Sequence, residues 1–155
     1  MTVQFAPNGS IVLKGRSNSV VLGKSIRLGE YEVPGMGEYD VAGVPCKVQN
    51  LTQGTVGFIQ FESLQFTYLS QVDASISKID EAVDTDVLVV DVRSDDEPNQ
   101  LKPILKLLEP SYLVLTGSGN TESFQKALGL PVAQGASHKV IKSGLPEEGT
   151  TLLTV

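Results

Sequence analysis

The hydrophobic pattern of residues 1–70 predicts a series of short β-strands. Apolar, β-branched and aromatic residues occur in short runs that glycine, asparagine or proline separates from one another. Such punctuation is typical of antiparallel strands joined by tight turns. The predicted strands occupy the segments 3–6, 10–15, 19–23, 25–29, 39–49, 55–62 and 64–70. Asn8-Gly9 predicts a type I′ turn after the first of them. The last two predict a hairpin that turns at Glu62-Ser63, each strand with one buried face.

Residues 71–155 carry longer apolar runs of a different kind. The run 86–92, "DVLVVDV", is continuously apolar between its aspartates, which is the mark of a strand buried on both faces. The run 112–117, "YLVLTG", predicts a second such strand. The segments 139–144 and 150–155 predict two further strands near the end of the chain.

Three helices are predicted around these strands. Asp73 or Ser75 can cap a helix that reaches about Val83. A second helix covers roughly Asn99–Leu108 and begins late, because Pro103 is tolerated only in a first turn. The third, Thr121–Leu128, is closed by Gly129 in a left-handed conformation. A β-rich N-terminal half followed by a βαβα C-terminal half predicts a mixed α/β fold, and the absence of a linker predicts one domain over residues 1–155.

One phrase occurs twice. The stretch 29–33, "GEYEV", is followed by 37–41, "GEYDV". The first copy is predicted to form a strand that joins the sheet across a turn at Pro34-Gly35. Coincidence in a hairpin rich in glycine and tyrosine remains an equal alternative.

Composition excludes some kinds of function. The net charge is −6, and the sequence contains no cluster of lysine and arginine. Nucleic acid and anionic membrane, which bind basic surfaces, are therefore not expected partners. The single cysteine, Cys46, excludes an internal disulfide and a thiolate zinc cage. The N-terminus has no signal pattern, and runs such as Val87–Val90 are too short to span a bilayer. A cytoplasmic location is therefore expected.

An acidic loop is the first candidate site. Asp91, Asp95 and Asp96 follow a buried strand, where carboxylates could hold a hard cation such as magnesium. The alternative is a solvated loop in which Asp96 or Asn99 caps the next helix.

The other candidates are a glycine-rich turn and two single residues. Gly117 and Gly119 precede a helix and could let backbone N–H groups approach an anion, although the Walker lysine is absent. The alternative is a flexible capped turn. His138 is the only histidine and has no neighbouring nucleophile, so a structural role is favoured over that of a general base. Cys46 is expected to be a small buried apolar residue and not a nucleophile.

The order of several phrases resembles a known family. Residues 37–44, "GEYDVAGV", precede the predicted hairpin 55–68 and the "DVLVV" strand, then Glu109-Pro110 with "SYLVLTG", and the closing "SGLPEEGTTLLTV". The opening "GSIVLKGRSNSVVLG" fits the same order. Together they resemble the metallo-β-lactamase superfamily, specifically its small bacterial branch similar to ascorbate-phosphate lactonase. The resemblance implies a shortened form of that family's αβ/βα sandwich.

The chain departs from this family at the metal ligands that the resemblance implies. The His-x-His-x-Asp-His loop has no room between Leu22 and Gly29. The His-Leu-Gly-Asp pattern is matched by Tyr68-Leu69-Ser70-Gln71, and the last histidine falls at Gly117-Ser118-Gly119. Catalysis in the family depends on a metal-activated water. The chain is therefore expected to bind no metal or other cofactor and to have no catalytic residues.

These observations predict a metal-free, non-catalytic binding or assembly module. The alternatives are a hydrolase with a rebuilt or magnesium-dependent acidic site, and a plain α/β domain whose resemblance is accidental. Loss of a strand and loop between residues 22 and 37 should leave "SVVLG" or "GEYEV" at an uncovered sheet edge, so a homodimer is expected.

Overall fold

The computed structural model describes residues 1–79, 84–117 and 121–155. Their strands form a six-stranded sheet and an eight-stranded sheet. In chain order the strands are β1 Thr2–Phe5, β2 Ile11–Lys14, β3 Ser19–Leu22, β4 Ile26–Leu28, β5 Tyr31–Glu32, β6 Gly37–Val41, β7 Val44–Asn50, β8 Thr55–Phe61, β9 Leu64–Leu69, β10 Val87–Asp91, β11 Tyr112–Thr116, β12 Val132–Gln134, β13 Ser137–Lys139 and β14 Thr151–Thr154.

The first sheet has the order β13-β1-β2-β3-β4-β5 and is antiparallel throughout. The turn between β1 and β2 differs from the type I′ turn predicted at Asn8-Gly9. Only Gly9 has a positive φ there, +86°, while Asn8 uses its side-chain oxygen to accept the N–H of Ser10 at 3.1 Å. Ala6 N–H donates to the Ser10 carbonyl at 2.9 Å and closes a longer loop. An asparagine that satisfies the turn with its side chain has no need of the left-handed conformation.

The second sheet has the order β12-β14-β11-β10-β9-β8-β7-β6. Its strands from β6 to β9 are antiparallel, and those from β9 to β12 are parallel where they pair. The hairpin predicted at Glu62-Ser63 is confirmed, with φ of +51° and +66° at the two turn residues. The predicted strand 39–49 is broken by a similar turn at Ala42-Gly43, so it forms β6 and β7.

Two of the three predicted helices are confirmed. A 3-10 turn, Pro98–Leu101, leads into α1, Lys102–Leu108, which places Pro103 in the first turn. Helix α2, Thr121–Leu128, is followed by Gly129 with φ of +63°.

The remaining two predictions for the C-terminal half need correction. The helix expected from Asp73 to Val83 is a 3-10 helix, Ala74–Lys78, that ends at Ile79; residues 80–83 lie outside the described ranges. The strand expected at 139–144 is wrong: β13 ends at Lys139, and Lys142–Gly144 forms a 3-10 turn. The apolar pair Val140-Ile141 suggested a strand, but only Val140 is buried, and Ile141 is 47% exposed.

The two sheets pack face to face, and the helices cover one of them. Side chains from both sheets share the inner core, among them Leu13, Leu22, Phe66, Val89 and Val114. A second core lies on the far side of the eight-stranded sheet and contains Leu88, Val90, Leu101, Ile104 and Phe124. The order of layers is therefore sheet, sheet, helices. This architecture confirms the predicted mixed α/β class, with most of the strands in the N-terminal half.

The chain crosses from one sheet to the other three times: residues 140–150 return from β13 to β14, and the other two crossings lie at opposite sides of the sandwich. Residues 33–36, called the first crossing, join β5 of the first sheet to β6 of the second. Residues 135–136, called the second crossing, join β12 to β13 in the opposite direction. The two copies of Gly-Glu-Tyr therefore lie at edges of different sheets, with the Tyr31 and Tyr39 rings 6.2 Å apart. The first copy does form a strand, but Pro34-Gly35 belongs to a crossing and not to a hairpin turn.

Candidate functional site

One end of the sandwich brings the carboxyl ends of β10 and β11 against turns of the first sheet. Asp91 is the last residue of β10, and Gly117 follows β11. They face Gly9 of the β1–β2 turn and residues 23–25 of the β3–β4 turn across a cleft of about 820 Å³. Ligands commonly bind beyond the carboxyl ends of strands in sheets of this kind, so this end of the molecule is the candidate site.

Gly117 holds the two sheets close together at this end. Its φ is +92°, and a Cβ atom there would lie 2.0 Å from Asp91 Oδ1 and 2.6 Å from the Val92 carbonyl oxygen. Its N–H donates to the Gly9 carbonyl at 3.3 Å. Any larger residue would push Asp91 away, so glycine is required by this approach of side chain to backbone.

Asp91 is a half-buried carboxylate at the floor of the cleft. Burial raises the pKa of Asp91, and the negative charge of Asp96 adds to that effect. Arg93, a hydrogen bond from the Thr116 hydroxyl at 3.5 Å, and Lys24 act in the opposite direction. The net result is a pKa above the ordinary value, which marks Asp91 as the electrostatically unusual acid of this region.

The three aspartates of the acidic loop do not converge. Asp96 accepts the backbone N–H of Arg93 at 2.7 Å and closes a local turn, while Asp95 is exposed. Only Asp91 lines the cleft. Within residues 1–79, 84–117 and 121–155, no group of three histidine, cysteine or acidic side chains is placed to hold a metal ion.

The glycine-rich turn is described only in part. Gly117 lines the cleft, but its N–H is engaged by Gly9 and is not directed at an open space. Gly119 lies outside the described residues.

The positions that the family resemblance matched to metal ligands serve the fold. The β3–β4 turn spans only residues 23–25, where Gly23 N–H donates to Ser25 O at 3.2 Å. Ser70 Oγ accepts the N–H of Thr55 at 2.8 Å, and Gln71 Nε2 lies 3.4 Å from Gln53 Oε1. The side chains of Ser70 and Gln71 therefore connect neighbouring strands or loops, and the backbone of Gly23 closes its own turn.

Tyr68 connects the second sheet to the β3–β4 turn. Its ring is 3% exposed, and its hydroxyl donates to the Gly23 carbonyl. Burial raises the pKa of Tyr68, and the charge of Asp91 raises it further, so the phenol keeps its proton at neutral pH. A protonated phenol committed to a backbone carbonyl is a poor ligand for a metal ion.

The residues present at this end do not fit a zinc or two-metal centre. Such centres need several imidazole, thiolate or carboxylate donors at about 2 Å from the ion. Asp91 is the only side chain of that kind that lines the cleft among the described residues.

His138 and Cys46 lie elsewhere and have structural surroundings. His138 Nε2 donates to the Thr154 carbonyl at 2.9 Å, and its ring meets Phe5 edge-on at 5.9 Å between centroids. Cys46 is buried in β7, and burial raises the pKa of its thiol to about 11. A thiol of that pKa is largely protonated at neutral pH and is weakly nucleophilic.

Several residues of the cleft were missed by sequence reasoning. Lys24, Arg27 and Arg93 all line it, although the sequence contains no basic cluster. Lys24 and Arg93 each lie two residues after a strand, β3 and β10, and strand ends on facing sheets can meet. Among the described helices, none is long and apolar enough to cross a membrane.

Comparison with known proteins gives one structural match. No protein-family model matches the sequence, and no curated protein does. A solved structure from Thermotoga maritima, provisionally described as a Zn-dependent hydrolase of the metallo-β-lactamase superfamily, superposes with a TM-score of 0.74. The match covers 100% of both chains at 14% sequence identity, so it concerns the whole architecture and not one motif. At that identity the likeness establishes the fold alone: the chain has a fold like that of metallo-β-lactamase hydrolases.

Proposed function

We propose that this protein is a metal-free, non-catalytic relative of metallo-β-lactamase-fold hydrolases that acts as a binding or assembly module. The observation that carries the proposal is the hydrogen bond from the Tyr68 hydroxyl to the Gly23 carbonyl. A buried tyrosine occupies the end of β9, where the family resemblance would place a histidine, and its hydroxyl is committed to the Gly23 carbonyl. The turn that contains Gly23 spans only residues 23–25, which is too short for the family's His-x-His-x-Asp-His loop.

The chemistry of the other candidate groups supports the same proposal. Hydrolysis without a metal needs a base or nucleophile within hydrogen-bonding reach of a partner group. Asp91 is in the cleft, whereas His138 is bonded to Thr154 and Cys46 is buried in β7. The described residues therefore bring no two of these three groups together.

Elemental analysis tests this proposal directly. The protein is purified without chelators and analysed for zinc, iron, manganese and nickel by mass spectrometry. We expect each metal well below one equivalent per chain, before and after incubation with zinc and removal of excess ion. A stoichiometric transition metal that survives gel filtration would refute the proposal.

A hydrolase with a magnesium-dependent acidic site is the second candidate. The observation that favours it is the raised pKa of Asp91 inside a cleft of ligand size. Against it stand the exposed position of Asp95 and the use of Asp96 in a local turn. A rise in Tm with millimolar magnesium that Asp91→Asn abolishes would favour this candidate, because a ligand of the native state stabilises it by mass action.

Assembly as a homodimer is the second part of the proposal. The edge expected at "SVVLG" does not exist, because β3 is paired with both β2 and β4. The other predicted edge, "GEYEV", contains β5, which is the edge strand of the first sheet; Tyr31 there is 43% exposed, and Met36 in the adjoining first crossing is 66% exposed. Exposed apolar side chains next to edge strands favour association with a second copy.

The acidic residues around this surface make the proposed dimer sensitive to salt. Glu30, Glu32, Glu38 and Asp40 are all exposed there, so two copies would repel each other at low ionic strength. Light scattering coupled to gel filtration should give a mass near twice 16.5 kDa at high salt and a lower value at low salt. A mass of 16.5 kDa at both salt concentrations would refute the dimer.

A further inference from the structure

The cleft at the end of the sandwich has a charge opposite to that of the protein. The chain contains 12 lysine and arginine residues against 18 aspartate and glutamate residues. In the cleft the basic residues outnumber the acidic ones. Its described lining contains three cations, Lys24, Arg27 and Arg93, and one acidic residue, Asp91. Two of the three arginines of the whole sequence are found there. A cationic cleft on an acidic protein concentrates small anions and repels large polyanions from the rest of the surface.

The three cations come from separate segments. Lys24 lies in the β3–β4 turn, Arg27 on the outward side of β4, and Arg93 just beyond β10. Lys24 and Arg93 line the cleft together with Asp91, and both follow strands that end there. Arg27 lies within β4, beyond the turn that holds Lys24, and is paired with Val21, which also lines the cleft. Positive charge is therefore spread along the cleft and is not focused on one point.

None of these three cations is held in place by a close side-chain contact within the described residues. Across the described ranges, the side chains of Lys24, Arg27 and Arg93 make no hydrogen bond and no short ion pair, and each is exposed. By contrast, Lys142 is tied to Asp86 at 2.8 Å. Exposed cations that make no hydrogen bond and line a cleft of about 820 Å³ can turn toward a ligand.

We propose that this cleft binds the diphosphate group of a small molecule, with Arg93 and Lys24 on one phosphate and Arg27 on the other. The inference rests on the proposed metal-free function, since the protein side chains supply all the positive charge. Guanidinium groups suit phosphate because they donate two parallel hydrogen bonds to its oxygens. An elongated dianionic group matches cations that are spread along a wall, whereas a single carboxylate would reach only part of them.

Calorimetric titration with inorganic pyrophosphate and inorganic phosphate tests the proposal at constant ionic strength. The protein is used twice, as purified and after treatment with a chelator. We expect pyrophosphate to bind more tightly than phosphate, with the same affinity in both preparations. Absence of pyrophosphate binding would refute the cleft proposal and leave the metal-free function standing. Binding that the chelator abolishes would refute both.

Matched arginine variants separate this site from general electrostatics. Arg93→Gln and Arg27→Gln should each weaken pyrophosphate binding by about five-fold or more, the loss expected for a charge-assisted hydrogen bond at an open site. Arg16→Gln removes the same charge from the β2–β3 turn, at the other end of those strands, and should change the affinity by less than about two-fold. Equal losses in all three variants would refute a specific site.

The proposed diphosphate site and a magnesium site predict opposite effects of Asp91→Asn on ligand binding. Removing the only acidic side chain of the described lining should tighten pyrophosphate binding several-fold in the absence of any metal. Asparagine keeps an oxygen that the Thr116 hydroxyl can reach, so the local bond is preserved. Weaker binding in Asp91→Asn, with an unchanged circular dichroism spectrum, would refute the arrangement proposed here.

Discussion

The bond between Tyr68 and Gly23 should make a measurable contribution to stability, which Tyr68→Phe removes. The ring is 3% exposed and Gly23 is buried, so the variant leaves the Gly23 carbonyl without its hydrogen-bond donor inside the structure. An unsatisfied buried carbonyl costs about 1–3 kcal/mol. In a protein of this length, about 2 kcal/mol lowers Tm by roughly 4–8 °C.

Thermal unfolding followed by circular dichroism measures this change, with Tyr31→Phe as the control. Tyr31 is 43% exposed, and its hydroxyl makes no hydrogen bond within the described residues, so its removal should change Tm by less than about 2 °C. Equal Tm values for the two variants would contradict the view that Tyr68 fastens the two sheets at the cleft. The test is independent of any ligand.

Three further predictions concern single side chains. Burial acts to raise the pKa of Asp73, but hydrogen bonds from Ser75 and the N–H groups of Gln53 and Gly54 hold it below the ordinary value. Asp73→Asn should therefore lower Tm at pH 7. The difference should begin to shrink below about pH 4, where the carboxylate of the unfolded chain gains its proton, and should vanish once the pH is below the lowered pKa of the native carboxylate; a constant difference would contradict this. Gly117→Ala should lower Tm more than Gly149→Ala, because both have positive φ but only Gly117 would meet Asp91 within 2.0 Å; equal losses would argue against the close approach. A thiol reagent should modify Cys46 in the native protein far more slowly than in denaturant, since burial raises the pKa of the thiol to about 11; fast native labelling would contradict its buried position.

The strands and helices were predictable where local patterns agree with tertiary packing. The hairpin at Glu62-Ser63 follows from apolar residues on either side of a polar pair, and Gly129 ends α2 as its position suggested. The segment 139–144 was misread because an apolar pair in a short segment does not distinguish a strand from a buried turn. The turn at Ala42-Gly43 was not predicted, because alanine is not a usual turn residue. Ala42 adopts a φ of +54° there between the paired strands β6 and β7.

The cleft was predictable only in part. Asp91 and Gly117 stood out because each follows a buried strand, and such positions meet at one edge of a sheet. Lys24, Arg27 and Arg93 did not stand out, since more than sixty residues separate the last from the other two. Their meeting depends on how the two sheets pack, and that register cannot be read from the composition of a single loop.

The first and second crossings have a consequence for how the protein should unfold. At the second crossing, Gly135 donates to Thr154 of the eight-stranded sheet, while Ala136 accepts from Phe5 of the other. At the first, Val33 donates to Ile26, and the Tyr39 hydroxyl reaches Gly35 at 2.8 Å. Because each of these crossings is hydrogen-bonded to both sheets, unfolding of one sheet should disrupt the other at both sides. Calorimetry should show one cooperative transition, with equal calorimetric and van't Hoff enthalpies, if the predicted single domain over residues 1–155 is correct.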